Sequence, residues 1–328
     1  MPLAQLVTSA PIGIPPRTRD PQNARVPEDA AVRELSVPNG SVTLAGSLWT
    51  PVEPPTAAVL MHPGSGPSDR DNDVFFPPIR EHLLAAGIAV ASFDKRGVGP
   101  STGRWQDAGI VEQAADAIAC LESLHDAARV PVGLFGHSQG GWVVLEAAAR
   151  SSGAAFVVTS SGPGITPARQ ERHSNRSYLT TAGASSAQVE QGMEQFDELV
   201  EMMRAGASLV EAPGYLAGHG VSAAVDGFEL PVFPDDVELW DFMAKILDHD
   251  PRPALEKIEV PVLALFGADD PITPVAESVA VFREAVPPEL LEVAVFAGAG
   301  HRLQAGDPPA LVEGYLDALA SFVSRAVA

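Results

Sequence analysis

Apolar positions along the chain gather into short runs separated by turn-forming residues. Val32 to Val37 alternates apolar and polar, Pro38-Asn39-Gly40 supplies a turn, and Ser41 to Trp49 alternates again, which is the pattern of an antiparallel hairpin. After the break at Pro51 to Pro55, dense apolar runs stand at Ala57–Met61, Ile88–Phe93, Val132–Phe135 and Ala155–Thr159. Each is too short for a helix and does not alternate, so each reads as a strand buried on both faces. Between them, Val74–Ala86, Asp107–Ala128 and Gly141–Arg150 carry helical spacing. Further on, Val260–Phe266, Pro274–Ala285, Leu291–Phe296 and Pro308–Ala326 read as strand, helix, strand and helix. Strands alternating with helices predict an α/β fold: a mostly parallel central sheet with helices on both faces, and the N-terminal hairpin adding antiparallel strands at one edge.

The alternation stops between Gly162 and Arg252. Gln188–Arg204 has helical spacing through Val189, Met193, Phe196, Val200 and Met203, and Val237–Leu247 has it again, with no persuasive strand between them. The predicted organisation is therefore an extended N-terminal arm over 1–28, a core over 29–163 and 252–328, and a helical cap or lid insertion over 164–251. The arm follows from Pro2, Pro11, Pro15, Pro16, Pro21 and Pro27, which remove backbone donors.

The 328 residues suit one large α/β domain with an insertion, and 46% hydrophobic content supports a sizeable core. Lys and Arg number 21 against 42 Asp and Glu, a net charge of −21 that disfavours nucleic acid and serves solubility. Cys120 is the sole cysteine, so no internal disulfide forms. No basic region precedes a long apolar stretch, and no apolar run is long enough to span a bilayer. A cytoplasmic enzyme without a membrane span is expected, and a homodimer is compatible with the chain.

Candidate chemistry centres on Gly136-His137-Ser138-Gln139-Gly140, a G-x-S-x-G between a strand and a helix. Its small neighbours leave room for a strained turn, and the following helix start favours negative charge at the Ser138 hydroxyl. This context matches a nucleophile elbow. A serine hydroxyl needs a base, and the base needs an orienting carboxylate. Ligand sites in such sheets lie beyond the carboxyl ends of the strands. Asp269 and Asp270 follow one downstream strand, and His301 follows the next in a Gly-rich loop. His137 reads as a packing residue, and His62 stands at a strand end where it lines the site or bonds locally. No cluster has metal-ligand spacing, so neither a metal nor a cofactor is expected. Gly97 to Gly103 lacks the ending of a phosphate loop.

These segments resemble the α/β-hydrolase superfamily over residues about 30 to 326. Leu265-Phe266-Gly267-Ala268-Asp269-Asp270-Pro271 and Gly298-Ala299-Gly300-His301 resemble its acid and histidine segments. The resemblance selects Asp270 over Asp269 and implies a Ser138, Asp270, His301 triad. Gly64-Ser65-Gly66-Pro67-Ser68-Asp69-Arg70-Asp71 resembles the oxyanion loop of one esterase subgroup. It implies that the N–H groups of Ser65 and Gln139 form the oxyanion hole, with Asp69, Arg70 and Asp71 bracing the loop. Asp94-Lys95-Arg96-Gly97-Val98-Gly99 resembles a scaffold turn of the superfamily.

The insertion carries Phe196, Met202, Met203, Tyr215, Phe228, Phe233, Trp240, Phe242 and Met243. An apolar lid over such a triad suits a small-molecule acyl substrate with a hydrophobic part. Trp240, Met203, Phe233 and His62 are the candidate substrate-binding residues. The expected reaction is cleavage of a carboxylic ester through an acyl-enzyme. A thioesterase, peptidase or C–C bond hydrolase would use the same residues, and a non-hydrolytic ligand receptor or biosynthetic enzyme on the same fold is the alternative from another class.

Overall fold

The two alternating segments form β1 (Ala31–Asn39) and β2 (Val42–Thr50), paired antiparallel with Asn39 opposite Val42. The chain then proceeds as β3 (Ala57–His62), α1 (Phe76–Ala85), β4 (Ile88–Phe93), α2 (Ile110–Ala128), β5 (Val132–His137), α3 (Gln139–Arg150) and β6 (Val157–Ser160). An insertion follows, with α4 (Pro167–Thr181), α5 (Ser186–Arg204), the short pair β7 (Ala224–Val225) and β8 (Phe228–Glu229), α6 (Val237–Ile246) and α7 (Arg252–Leu255). β9 (Val262–Gly267), α8 (Val275–Ala285), β10 (Leu291–Phe296), the pair β11 (Gln304–Ala305) and β12 (Ala310–Leu311), and α9 (Tyr315–Ala326) complete the chain. This computed structural model describes residues 30–209, 211 and 237–328, and the backbone of 224–225 and 228–229. The expected N-terminal arm, and the side chains of Tyr215, Phe228 and Phe233, lie outside the described residues.

The main sheet has eight strands in the order β1-β2-β4-β3-β5-β6-β9-β10. Only β1–β2 and β2–β4 pair antiparallel, and the other neighbours are parallel. Every residue of β4, β5, β6 and β9 is buried, which explains their continuous apolar runs. Alternate residues of one strand feed opposite layers. Ala58 and Leu60 of β3 join Leu121, Trp142 and the insertion on one face, while Val59 and Met61 join Phe76 and Phe322 on the other.

Four elements depart from the sequence expectation. The C-terminal helix begins at Tyr315 rather than Pro308, because 310–311 pairs with β11 and Gly314 caps the helix at φ +82°. β7 and β8 span two residues each, too few for an alternation to register. α4 is a full helix with no apolar stripe: its buried positions include Gln170, Ser174 and Asn175. Hydrophobic spacing is therefore silent there, although Thr166 at the cap and Pro167 at the first turn are the start signals such a helix offers.

Candidate active site

Ser138 sits between β5 and α3 at φ +54°, ψ −122°, a backbone region that costs a non-glycine residue about 1–3 kcal/mol. Its neighbours hold it there. The Ser138 N–H donates to the Ser160 carbonyl at 3.0 Å, anchoring the turn to β6. A Cβ on Gly136 would lie 2.1 Å from the Gly140 oxygen, and one on Gly140 would lie 2.5 Å from the His62 oxygen. Only glycine fits at either position, so the spacing of the motif is a packing requirement.

The loops after β9 and β10 bring Asp270 and His301 to this turn. His301 Nε2 is 2.9 Å from Ser138 Oγ, and His301 Nδ1 is 2.8 Å from Asp270 Oδ2. With a carboxylate accepting at Nδ1, the ring proton belongs there and Nε2 is left to accept from the hydroxyl. The other Asp270 oxygen accepts from the N–H groups of Ile272 (2.8 Å) and Thr273 (3.0 Å). Burial raises the Asp270 pKa, but the His301 charge and these hydrogen bonds outweigh it and hold the carboxyl below its ordinary value. Asp269 is exposed. His137 is buried, its Nδ1 donates to the Ser160 carbonyl at 3.1 Å, and its ring packs 4.4 Å from that of Phe75.

Gly64 lies against the serine: a Cβ there would be 3.5 Å from Ser138 Cβ. The Gly64 N–H is occupied, donating to Asn72 Oδ1 at 3.3 Å. The next amide, Ser65 N–H, and that of Gln139 at the start of α3 donate to no partner among the described residues. The loop is braced from behind. The Arg70 guanidinium binds Asp94 with Nη2 at 2.8 Å and Glu34 with Nη1 at 2.7 Å, Arg80 binds Asp71 at 2.8 Å, and Asp69 Oδ1 accepts from Asp71 N–H.

Two features escaped the sequence reading. Lys95 is buried, and its Nζ donates to the Gly64 carbonyl and, at 3.1 Å, to Gln139 Oε1. Burial pushes this amine down to about 7. Its signal was a lysine two residues after a wholly buried strand, at the carboxyl end of the sheet where ligands bind. The second is Glu171 on α4, a helix that hydrophobic spacing does not reveal. Burial pushes its carboxyl up to about 7, against the opposing influence of Gln170 and of the His301 charge.

The candidate substrate-binding residues are scattered. Trp240 and Met203 are 1% and 5% exposed, packed into the apolar cluster that the insertion shares with one face of the sheet, and the Trp240 indole donates to the Ala207 carbonyl at 2.9 Å. Their surface is taken up largely by neighbouring side chains. Phe233 lies outside the described residues. His62 donates from Nδ1 to the Pro63 carbonyl at 3.1 Å, and burial first, then the Lys95 charge, lowers its pKa to about 3. Its ring lines a cavity of about 30 Å³ with Lys95, Trp105 and Gln113, which neither Ser138 nor His301 borders. Among the described residues no cluster of three or more His, Cys, Asp or Glu side chains is placed to hold a metal ion. No helix among them is long and apolar enough to cross a membrane.

A mostly parallel sheet with a serine turn after β5, and an acid and a histidine after the last two strands, defines the α/β-hydrolase architecture. Residues 58–313 match the alpha/beta hydrolase family, and the chain belongs to it. Among solved structures, the fold is similar to the Pyrococcus furiosus esterase PF2001 at 16% identity, covering 91% of this chain and 92% of that one, TM-score 0.61. It is also similar to Est1E from Butyrivibrio proteoclasticus, solved with ferulic acid, at 17% identity over 89% and 96% of the two chains, TM-score 0.54. A proline iminopeptidase of Mycobacterium smegmatis is similar at 20% identity over 90% and 98%, TM-score 0.55. Identities this low establish a shared fold. No curated protein matches the chain in sequence.

Proposed function

We propose that the protein is a serine hydrolase that cleaves a carboxylic ester with a hydrophobic moiety through an acyl-enzyme intermediate. The observation that carries this reading is the unbroken relay from Asp270 through His301 to Ser138, with 2.8 and 2.9 Å links, ending on a hydroxyl held at a strained turn. Ser138 Oγ attacks the acyl carbon while His301 Nε2 takes the hydroxyl proton, and Asp270 orients the imidazole and stabilises its charged form. The negative oxygen of the tetrahedral intermediate is met by the Ser65 and Gln139 N–H groups, each donor contributing about 3 kcal/mol to the barrier reduction. The His301 proton passes to the departing alkoxide. Water then attacks the acyl-Ser138 ester by the same route and restores the hydroxyl. The insertion acts as the cap over this site.

Ser138→Ala should abolish hydrolysis of p-nitrophenyl acyl esters and labelling by a fluorophosphonate probe, while the wild type shows both. Unchanged turnover in the variant would remove Ser138 from the reaction.

A further inference from the structure

β6 ends at Ser160, and the next residue, Ser161, stands at φ +51°, a left-handed conformation that a serine holds only where its surroundings enforce it. Two consecutive carbonyls at this strand end take hydrogen bonds from two different parts of the site. The Ser160 carbonyl accepts from the Ser138 N–H at 3.0 Å and from His137 Nδ1 at 3.1 Å. The Ser161 carbonyl accepts from the Thr273 hydroxyl at 3.3 Å. Ser161 is in turn fixed to β9, its N–H donating to the Leu265 carbonyl at 2.8 Å. The Ser160 hydroxyl lies 3.1 Å from that of Tyr315, the first residue of α9. Ser160, Ser161, Thr273 and Tyr315 are all fully buried.

Thr273 closes the loop that carries the acid. At its near end this loop is bonded to the histidine segment, Ala268 N–H donating to the Phe296 carbonyl at 2.8 Å and Asp269 N–H to the Ala299 carbonyl at 2.9 Å. At its far end Thr273 makes two bonds: its N–H donates to Asp270 Oδ1 at 3.0 Å, and its hydroxyl to Ser161. Pro271 and Pro274 flank Ile272-Thr273 and restrict the backbone there. The Asp270 carboxylate has Oδ1 on this segment and Oδ2 on His301 Nδ1, so a displacement of residue 273 passes to the relay through one rigid planar group. Valine has the shape of threonine and would fill the same volume. What threonine adds at a fully buried position is a donor, and a buried donor needs its acceptor. That acceptor stands on the strand end that holds the nucleophile turn.

We infer that Thr273 is a positioning residue of the relay: its hydroxyl, bound to Ser161, ties the Asp270 carboxylate to the same strand end that anchors the Ser138 turn. This rests on the catalytic reading above and adds to it a residue that touches none of the reacting atoms. A relay assembled from three loops needs them referred to a common point, since a misplacement of about 1 Å can cost about a hundredfold in rate. Ser160-Ser161 is that point for the serine and for the acid.

Steady-state hydrolysis of p-nitrophenyl butyrate by the full-length chain tests the inference. Thr273→Val should lower kcat about tenfold with KM within about twofold, because the acid serves the chemical step. Thr273→Ser, which keeps the hydroxyl, should stay within about threefold of wild type. The Asp270→Asn background separates positioning from packing. With the carboxylate gone the hydroxyl has nothing to orient, so adding Thr273→Val there should change kcat by less than about twofold. An unchanged kcat in Thr273→Val, a serine variant as slow as the valine one, or the same tenfold loss in the Asp270→Asn background would each overturn the inference. Should Thr273→Val fail to fold, Thr273→Ala against Thr273→Ser isolates the hydroxyl instead. A gap of about tenfold between them is then expected with Asp270 present and none in Asp270→Asn; a gap absent from the first, or surviving in the second, overturns the inference. If neither Ser138→Ala nor Asp270→Asn slows hydrolysis, the catalytic reading itself falls. If both slow it while Thr273→Val does not, the positioning role of Thr273 alone falls.

Discussion

Lys95 Nζ donates to the side-chain oxygen of Gln139 at 3.1 Å and, from the same nitrogen, to the carbonyl of Gly64. The two backbone segments that present the Gln139 and Ser65 amides are therefore tied together from below by one buried amine. Lys95→Met keeps an unbranched chain one atom shorter and removes both donations. For p-nitrophenyl butyrate, kcat should fall about tenfold or more while KM stays within about twofold, because what loosens is a set of donors aimed at the transition state. An effect on KM with kcat intact would show that Lys95 shapes ground-state binding and not the oxyanion site.

The same lysine gives stability a pH dependence. Burial lowers its pKa from 10.5 to about 7 in the folded chain. Between those values the unfolded chain binds more protons, so stability rises with pH across that window, at no more than about 1.4 kcal/mol per pH unit. Below pH 7 the penalty is complete and the contribution flat. Urea unfolding of wild type and Lys95→Met from pH 7 to 10 should show the wild type gaining on the variant. Parallel curves would mean that the amine titrates as it does in water.

Adjacent aspartates separate the acid of the relay from its neighbour. Asp270→Asn leaves the shape intact but presents an amide to His301 Nδ1, favouring the wrong tautomer. The drop in kcat should be about 10³- to 10⁴-fold, as for other triads. Asp269→Asn, on an exposed side chain, should stay within about twofold of wild type. Equal losses in the two variants would point to a shared structural effect of the loop.

The serine turn makes a prediction about folding. Gly136→Ala places a methyl 2.1 Å from the Gly140 oxygen, and neither backbone segment can withdraw without breaking the turn. The denaturation midpoint should fall by the equivalent of about 3 kcal/mol or more, or soluble protein should be lost. A variant of wild-type stability would show that the elbow has slack absent from this packing.

The sheet was legible because its inner strands are buried on both faces, so Ile88–Phe93 and Val260–Phe266 announce themselves as apolar runs. Positions 138 and 270 could be located because each follows such a run at the end where ligands collect, and 301 because it follows the next strand, the partly exposed edge strand β10. What stayed hidden was carried by polar burial. Lys95 lies in a turn that resembles scaffold, and only the three-dimensional meeting with Gly64 and Gln139 gives it meaning. Glu171 rides on a helix whose buried positions include Gln170, Ser174 and Asn175 in the middle, so the apolar spacing that marks a helix is interrupted there. Trp240 and Met203 are legible as apolar positions on a helical spacing, and they are buried in the cluster on one face of the sheet.

β6 and β9 are hydrogen-bonded neighbours, Val157 standing opposite Val262. Everything between them is thus a single excursion that leaves and rejoins the sheet at one seam. Closing a longer or shorter excursion across that seam changes the free energy only logarithmically with its length. A change in its length therefore requires no change in any strand pairing, although its inner face packs into the cluster on one side of the sheet. The register that brings positions 138, 270 and 301 to one end of the sheet is thus set by pairings that lie wholly outside the excursion.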